Sequence, residues 1–460
     1  GGAQGVYEPD VDFRQGGAGL MSVEGQVVLD GVIRPRGRHP LPRRLIPIIR
    51  TQGQGHGIRM EETLRVDSPL IYTYTLNRSG DAELDVGVTA DFTKLTGLSE
   101  EQAGLAANIQ SKWDNAPEEL LQDYAEVFDH FTNVRTADEY RRALTEVAND
   151  TQQASASVLP GKNRSFVQLM MSCPESRADD ALLYEGSCYW MRVVSNDSRL
   201  EQSDQNQGFH GTGITYQIGG QKELAPGLVL GGSFAYENFR SRAVGASVQT
   251  DGGLFSGGVA LKRQRGPWLF AGVLTAGRGT YDTRRALAVS GTDRIAESRW
   301  RSRHMGMRLR ASYTHAQPDW YIKPLFDVDL VYQRVPGYSE TGAGAFDLDF
   351  QDASRWTATL TPTLEVGGRV FLKGGVLRPY FSVGASWMSD SSWVVDAHLQ
   401  GDPLRESFRL RTSLPKAMGE VKAGVELVSG GGYEVKAEYD LRFAKGYVSR
   451  TGMLRMAVRF

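Results

Sequence analysis

No run of about eighteen apolar residues occurs in this chain, which excludes a membrane-spanning helix. A dominant charge sign is also missing. Lys and Arg total 52 against 54 Asp and Glu, so no net field is available to hold nucleic acid, and no sustained basic run appears. Cysteine is scarce: Cys173 and Cys188 are the only two. The histidines (His39, His56, His130, His210, His304, His315 and His398) show no HExxH or other metal-ligand spacing. There is no G-x-S-x-G elbow, no CxxC and no glycine-rich phosphate loop. The reading is therefore of a chain with no cofactor, no metal and no catalysis of its own.

What is present is alternation. The last residues, GMLRMAVRF, put Leu454, Met456, Val458 and Phe460 on one face and Arg455, Ala457 and Arg459 on the other. This is the pattern of a strand with lipid on one side and a wet lumen on the other. It recurs from about residue 186 onward. One face of 322–332 carries Ile322, Phe326, Val328 and Leu330, and the other carries Lys323, Asp327 and Asp329. Likewise Leu360, Leu364 and Val366 oppose Glu365, and Val421, Val425 and Leu427 oppose Glu420 and Lys422. In YEVKAEYDLRF the apolar series alternates with Glu434, Lys436, Glu438, Asp440 and Arg442. These charged residues are expected to face the lumen.

About twelve such segments occur, each near the ~10 residues a tilted membrane strand needs. Short turns are expected near Ala225-Pro226, Gly266-Pro267, Gln317-Pro318, Lys373 to Gly375 and Gly430 to Gly432. Long polar loops are expected near 198–206, 240–250, 283–297, 336–353 and 391–410. That asymmetry suits an outer-membrane barrel with both ends in the periplasm. Trp268, Trp300, Trp320, Trp356 and Trp393 lie at expected strand ends, where their rings would suit the membrane interfaces. A mean hydropathy of −0.35 is compatible with this, because half of each strand faces water. The competing reading, a soluble antiparallel barrel, would fill its interior with apolar side chains rather than charges. A barrel protein must be exported, so a chain that begins GGAQG reads as a mature piece or fragment.

Between about 97 and 172 the period changes. Ser99 with Gln102, and Thr136 with Glu139, have the capping-box form. Leu120, Leu121, Tyr124, Val127, Phe128 and Phe131 recur at helical spacing. Two or three short helices are expected, then a small-residue stretch at 149–157 suited to a narrow lumen. Pro160-Gly161 should break or kink any helix there, with helix resuming at 165–172. Cys173 and Cys188 are close in sequence just ahead of the first barrel strand. In an oxidising compartment they can form a disulfide tying the lumen segment to the barrel base; the alternative is two reduced thiols with no role. Residues 1–96 read as short glycine-marked strands that fit the last rungs of a parallel β-helix. Their Arg-rich piece, RPRGRHPLPRRLIPIIR, reads as a surface loop.

Taken in order, these parts resemble the autotransporters, the type V secretion family of Gram-negative bacteria. The DF…GLS..Q stretch at 91–102 and the terminal strand at 452–460 carry the resemblance most closely. It implies a mainly β fold: a 12-stranded transmembrane antiparallel β-barrel (173–460), a helical linker and pore-lining segment (97–172), and the C-terminal end of a β-helical passenger (1–96). It implies an outer-membrane translocator that carries its own N-terminal passenger, an adhesin or virulence factor, to the cell surface. The implied partners are outer-membrane lipid and lipopolysaccharide, the barrel-assembly machinery, the passenger and host surface molecules, with the chain a monomer. Leu454, Met456, Val458 and Phe460 would be the signal read by the assembly machinery. Relatives often run an unbroken helix where Pro160-Gly161 stands here. Some also cut themselves in the pore at an Asn pair. Here Asn149-Asp150 is the nearest match, and it reads better as a helix end or turn. A plain channel is the alternative function, against which 1–172 argues. Deleting Phe460 is expected to reduce folded barrel in the outer membrane sharply, measured as the heat-modifiable band on gels. An unchanged amount would sink the C-terminal signal.

Overall fold

The computed structural model describes residues 5–148, 153–171, 173–176, 183–203, 208–245, 247–289, 292–402, 404–429 and 431–460. Asn149 and Asp150 lie outside the described residues.

The N-terminal part is a stack of parallel strands. Val6–Tyr7 pairs with Val32–Ile33 and that with Arg65–Val66, while Asp10–Asp12 pairs with Arg36–Arg38 and Met21–Leu29 with Ile46–Met60. Val11, Phe13, Ile33, Ile48, Ile49 and Ile58 fill the interior. A hairpin, Tyr72–Ser79 with Glu83–Ala90, lies antiparallel on the edge of Ile46–Met60 and closes it against further pairing. The Arg-rich piece is not simply a surface loop. Arg36–Arg38 is a rung strand, and Ile46–Met60 begins inside the same stretch. Arg34 reaches Glu8 at 3.0 Å and Asp67 at 2.6 Å, joining successive turns of the stack by charge. The arginines were misread because their carboxylate partners lie one turn away in space but tens of residues away in sequence.

Helices α1 (Glu100–Asn115), α2 (Glu118–Asp129) and α3 (Ala137–Val147) pack on that stack. Both capping boxes are formed: Ser99 with Gln102 and Thr136 with Glu139. Each supplies partners for N–H groups the helix leaves unpaired. The junction is aromatic: Tyr72, Phe92, Trp113, Phe128, Phe131 and Tyr140 meet at ring separations of 5.0–6.2 Å. The Tyr72 hydroxyl donates to the Phe128 carbonyl at 2.6 Å and that of Tyr140 to the Phe92 carbonyl at 2.7 Å, so both polar tips are satisfied. Each fully buried ring is worth about 1.5–3 kcal/mol of apolar transfer. His130, pressed against Phe131 and Phe346, has its pKa pushed below the ordinary value by burial.

The barrel strands are β1 (Cys188–Leu200), β2 (Phe209–Ala225), β3 (Leu228–Ala243), β4 (Val248–Arg265), β5 (Trp268–Val289), β6 (Thr292–Tyr313), β7 (Trp320–Val335), β8 (Ala353–Gly368), β9 (Gly375–Met388), β10 (Ala417–Ser429), β11 (Tyr433–Ala444) and β12 (Tyr447–Arg459). Each pairs antiparallel with its neighbours, and β1 closes on β12 from Cys188↔Arg459 to Leu200↔Tyr447. Turns are short at the end that holds Cys188 and Phe460. Gly227 and Gly266 turn there with φ of 72° and 56°, values that favour glycine.

The expected long loops are largely ordered β-structure. Within 240–250, β3 runs on to Ala243 and β4 begins at Val248; within 283–297, β5 runs on to Val289 and β6 begins at Thr292, each of these two being 22 residues long, about twice what a membrane needs. The 336–353 and 391–410 stretches contribute a separate sheet of Tyr338–Ser339, Leu348–Phe350, Ser392–Leu399 and Phe408–Ser413. Trp300 and Trp393 are not at the interfaces but buried above them. Trp300 stacks on Tyr281 at 4.2 Å, and the Trp393 indole donates to Gln153 at 2.5 Å. The reason is an inversion of the alternation. On β5 the outward residues are Phe270, Leu274 and Ala276, then Thr280, Asp282 and Arg284, while the inward ones become Tyr281, Leu287 and Val289. Lipid wants apolar groups outside the wall. Above it, water wants them inside, where the helices and the outer sheet join them in one continuous core.

Arg285 pins this outer module to the barrel. It is fully buried on β5 and donates to the Glu146 and Val147 carbonyls at the end of α3 at 2.8 and 2.9 Å. It also pairs with Glu340 at 2.5 Å and donates to the Phe346 carbonyl at 2.7 Å. A cation at a helix C-terminus meets the negative end of its dipole. Arg285→Met leaves Glu340 buried and uncompensated, and is expected to destabilise the outer module by about 3–5 kcal/mol. Limited trypsin digestion should then release the helices while the barrel stays heat-modifiable; unchanged resistance would refute the pinning role.

Candidate functional site

The barrel is not empty. Small residues Ala154, Ser155, Ala156 and Ser157 form one buried helical turn, α4 (Ala154–Ser157), at its outer mouth. α5 (Leu159–Gln168) continues down the lumen, and the turn Leu169–Met171 follows. Helix thus resumes at Leu159 rather than near 165. Pro160 falls in the first turn of α5, where a missing N–H costs little. Its ring still leaves the Ala156 carbonyl without the usual helical donor, and the Gln333 amide from β7 supplies one at 2.9 Å. The barrel wall therefore accommodates the kink that the sequence demands.

α5 is held by charge on one side. Arg164 pairs with Glu420 at 2.8 Å and Asp329 at 3.6 Å, and donates to the Thr361 hydroxyl at 3.0 Å. From there a network runs around the wall. Arg308 grips Asp329 with two bonds at 2.7 and 2.8 Å, and Arg310 grips Asp327 with two at 2.6 Å. Arg442 lies 3.9 Å from Glu420 and 3.6 Å from Asp440. Lys422 links Asp440 at 3.6 Å to Glu438 at 3.8 Å, and Lys436 lies 3.4 Å from Glu438. Lys323 and Glu365 form a looser pair at 3.8 Å, and Glu434 sits lower, with Arg455 at 2.8 Å and Arg459 at 2.9 Å. All eleven charged positions singled out from sequence therefore line the interior. Eight of them belong to that one network, in which Arg164 on α5 and Arg308 on β6 bridge Glu420, Asp329 and Asp327; Lys323 and Glu365 pair with each other, and Glu434 stands apart.

Across the lumen the grip is by hydrogen bonds and one ion pair. Lys162 meets Glu237 at 2.6 Å and lies over the Phe239 ring. Arg192 donates to the Ser165 carbonyl at 2.9 Å, Gln217 to that of Phe166 at 3.2 Å, and Thr275 to the Asn163 side chain at 2.8 Å. Sequence reasoning missed Arg164, Lys162, Glu237, Arg308 and Arg310. The last three sit at inward-facing register and were legible by parity; the two on α5 were not, because the helix start was misplaced.

At the base, Cys173 and Cys188 are joined as a disulfide, with Cα atoms 6.3 Å apart. The Glu185 carboxylate beside it accepts from the Cys173 N–H at 3.1 Å, Gln221 at 3.0 Å and Lys262 at 2.8 Å. Leu454, Met456, Val458 and Phe460 are exposed on the outer wall, and Phe460 stacks on Tyr189 at 4.7 Å, across the seam. No cluster suited to a metal occurs among the described residues, and no helix among them is long and apolar enough to cross a membrane. Mixed-sign ion pairs of this kind hold a polar segment in place and leave the wall wettable once it moves. Arg164→Ala is expected to loosen α5, raising the frequency of channel openings severalfold in planar bilayers without loss of folded barrel. Unaltered conductance would show that α5 is held by other contacts.

A family model described as the autotransporter beta-domain matches residues 189–440. Among solved structures, the translocator domain of the autotransporter NalP from Neisseria meningitidis is similar at 12% identity, with a TM-score of 0.54 over 67% of this chain and 98% of that one. At that identity the likeness is one of fold. The beta domain of the Bordetella autotransporter BrkA is similar at 19% identity, TM-score 0.44, over 60% of this chain and 100% of that one. The transport unit of AIDA-I from Escherichia coli is similar at 13% identity, TM-score 0.42, over 65% and 98%. No curated protein sequence matches the chain.

Proposed function

Because the chain belongs to the autotransporter family and its barrel is an outer-membrane translocator, we propose that it delivers its own N-terminal region to the cell surface. The observation that supports this reading is α5. It runs through the lumen and links the Cys173–Cys188 base to a helical module that caps the opposite mouth. A channel or porin would keep that lumen open. The mixed-sign wall suits passage of a polar, extended chain, because each exposed backbone group must find water or a partner on the way. Transport is the whole of the proposed activity, with no catalysis in this chain. The passenger is read as an adhesin or other host-interaction surface, with outer-membrane lipid and the barrel-assembly machinery as partners of the barrel.

The test is surface display. A signal peptide and epitope tag are placed ahead of Gly1, the chain is expressed in a Gram-negative host, and protease is added to intact cells. Loss of the tag with a protected barrel-sized fragment is the expected result. A tag that is lost only after the periplasm is opened would overturn delivery.

A further inference from the structure

Three exposed arginines on the outer wall of the barrel have no ion-pair or hydrogen-bond partner among the described residues: Arg278 on β5, and Arg301 and Arg303 on β6. Arg278 stands directly opposite Arg303, and Arg303 directly opposite Arg334 on β7. Like charges face to face across neighbouring strands destabilise a sheet. Higher on the same hairpin the pattern is the reverse. Arg299 pairs with Asp282 at 2.6 Å and Arg284 with Glu297 at 2.9 Å, and on β7 Arg334 is answered by Asp352 at 2.8 Å. On the β5–β6 hairpin the unpaired positive charge is thus confined to the stretch between these paired residues and the apolar band below.

That level is the outer edge of the lipid-facing band. Trp268 marks the short-turn end of β5, and Arg278 follows it by roughly ten residues, or about 25 Å along the membrane normal, the height of a barrel's apolar band. Everything outward between them is apolar: Phe270, Leu274 and Ala276. One register step below the arginine row, Ala276, Met305, Tyr332 and Trp356 stand in line across β5 to β8. Tyr332 and Trp356 are in ring contact at 5.0 Å. A row that suits acyl chains therefore lies directly beneath a row that suits phosphate. The planar guanidinium is the side chain best matched to phosphate oxygens.

We propose that Arg278, Arg301 and Arg303 form a docking site for the phosphorylated glucosamine headgroup of an outer-leaflet lipid A, with Met305 and the Tyr332–Trp356 pair against its acyl chains. The bound phosphate supplies the counter-charge that the row lacks. This inference rests on the outer-membrane placement of the barrel and not on what the barrel transports.

The experiment uses the full chain purified in detergent, with the folded state checked first by heat-modifiability so that failure of the barrel is distinguishable from failure of the site. Thermal unfolding is followed with bisphosphorylated lipid A, with chemically dephosphorylated lipid A and with inorganic phosphate. A rise in Tm with the first alone is expected. Arg278→Gln/Arg303→Gln should weaken the apparent affinity at least about tenfold, and Arg278→Lys/Arg303→Lys should retain part of it. Arg299→Gln, in the paired row above, should leave it intact and serves as a second folded reference. Equal stabilisation by the dephosphorylated lipid, or undiminished binding by the double Gln variant, would overturn the proposal. Stabilisation by inorganic phosphate to the same extent would show a free-anion site and also overturn it.

Discussion

Backbone in a bilayer has no water to pair with, so each N–H and C=O at that depth must find a partner within the protein. Everything else in this structure follows from how that demand is met. The sheet has no free edge because β1 lies on β12 along the whole length of both, and because β6 lies on β7. Closure fixes the side-chain parity of every strand, and within the lipid-facing band that parity turns Arg308, Arg310, Asp327, Asp329 and Glu420 inward. A wall of charge follows, and it can be populated only if positive and negative groups neighbour one another. The Arg308–Asp329 and Arg310–Asp327 pairs, on adjacent strands in register, meet that condition within the wall itself. Arg164 meets it from the plug.

The same alternation serves two solvents along a single strand. In the lower part of β5 and β6 the apolar residues face out to lipid. In the upper part they face in, toward α3 and the outer sheet. No break in the strand marks the change; only the identity of the residues at each parity changes. Arg285 shows the cost of this economy. A side chain at inward parity in the dry upper region must be charged yet wholly buried, and it is tolerated because two helix carbonyls and Glu340 surround it.

Much of this architecture was legible in sequence. Strict alternation at 433–443 and 452–460 gave the lipid and lumen faces directly, and Ser99/Gln102 and Thr136/Glu139 gave the two helix starts. The upper hairpins were not legible, because Arg284, Arg285, Arg294 and Arg299 look like polar loop residues until their partners are known. The pairs Arg284–Glu297 and Arg299–Asp282 could have been found by setting β5 against β6 in antiparallel register. Arg285–Glu340 and Arg294–Glu126 could not, since nothing local specifies them. Trp300 and Trp393 were misassigned for the same reason: an aromatic at a strand end suits a membrane interface and a protein core equally well. The plug start was missed because proline was read as a breaker, when in a first turn it is a permitted residue.

The two ends of the linker are held by different physics, and the difference gives a direction. Outside, the helices bury a large aromatic and aliphatic core shared with the outer sheet, a contribution that grows with the area removed from water. Within the lumen, α5 is held by ion pairs and polar contacts, whose attraction is largely offset by the desolvation of the groups that make them. Sliding such a segment exchanges protein partners for water, which recovers part of the attraction lost. In the outward delivery proposed here, the lumen holds α5 at rest and does not supply the driving force for movement. The free energy that biases it comes from apolar burial, which is available only once Phe92, Trp113, Phe128 and Phe131 have emerged to join the core that also holds Trp393, Leu348 and Phe350 of the outer sheet.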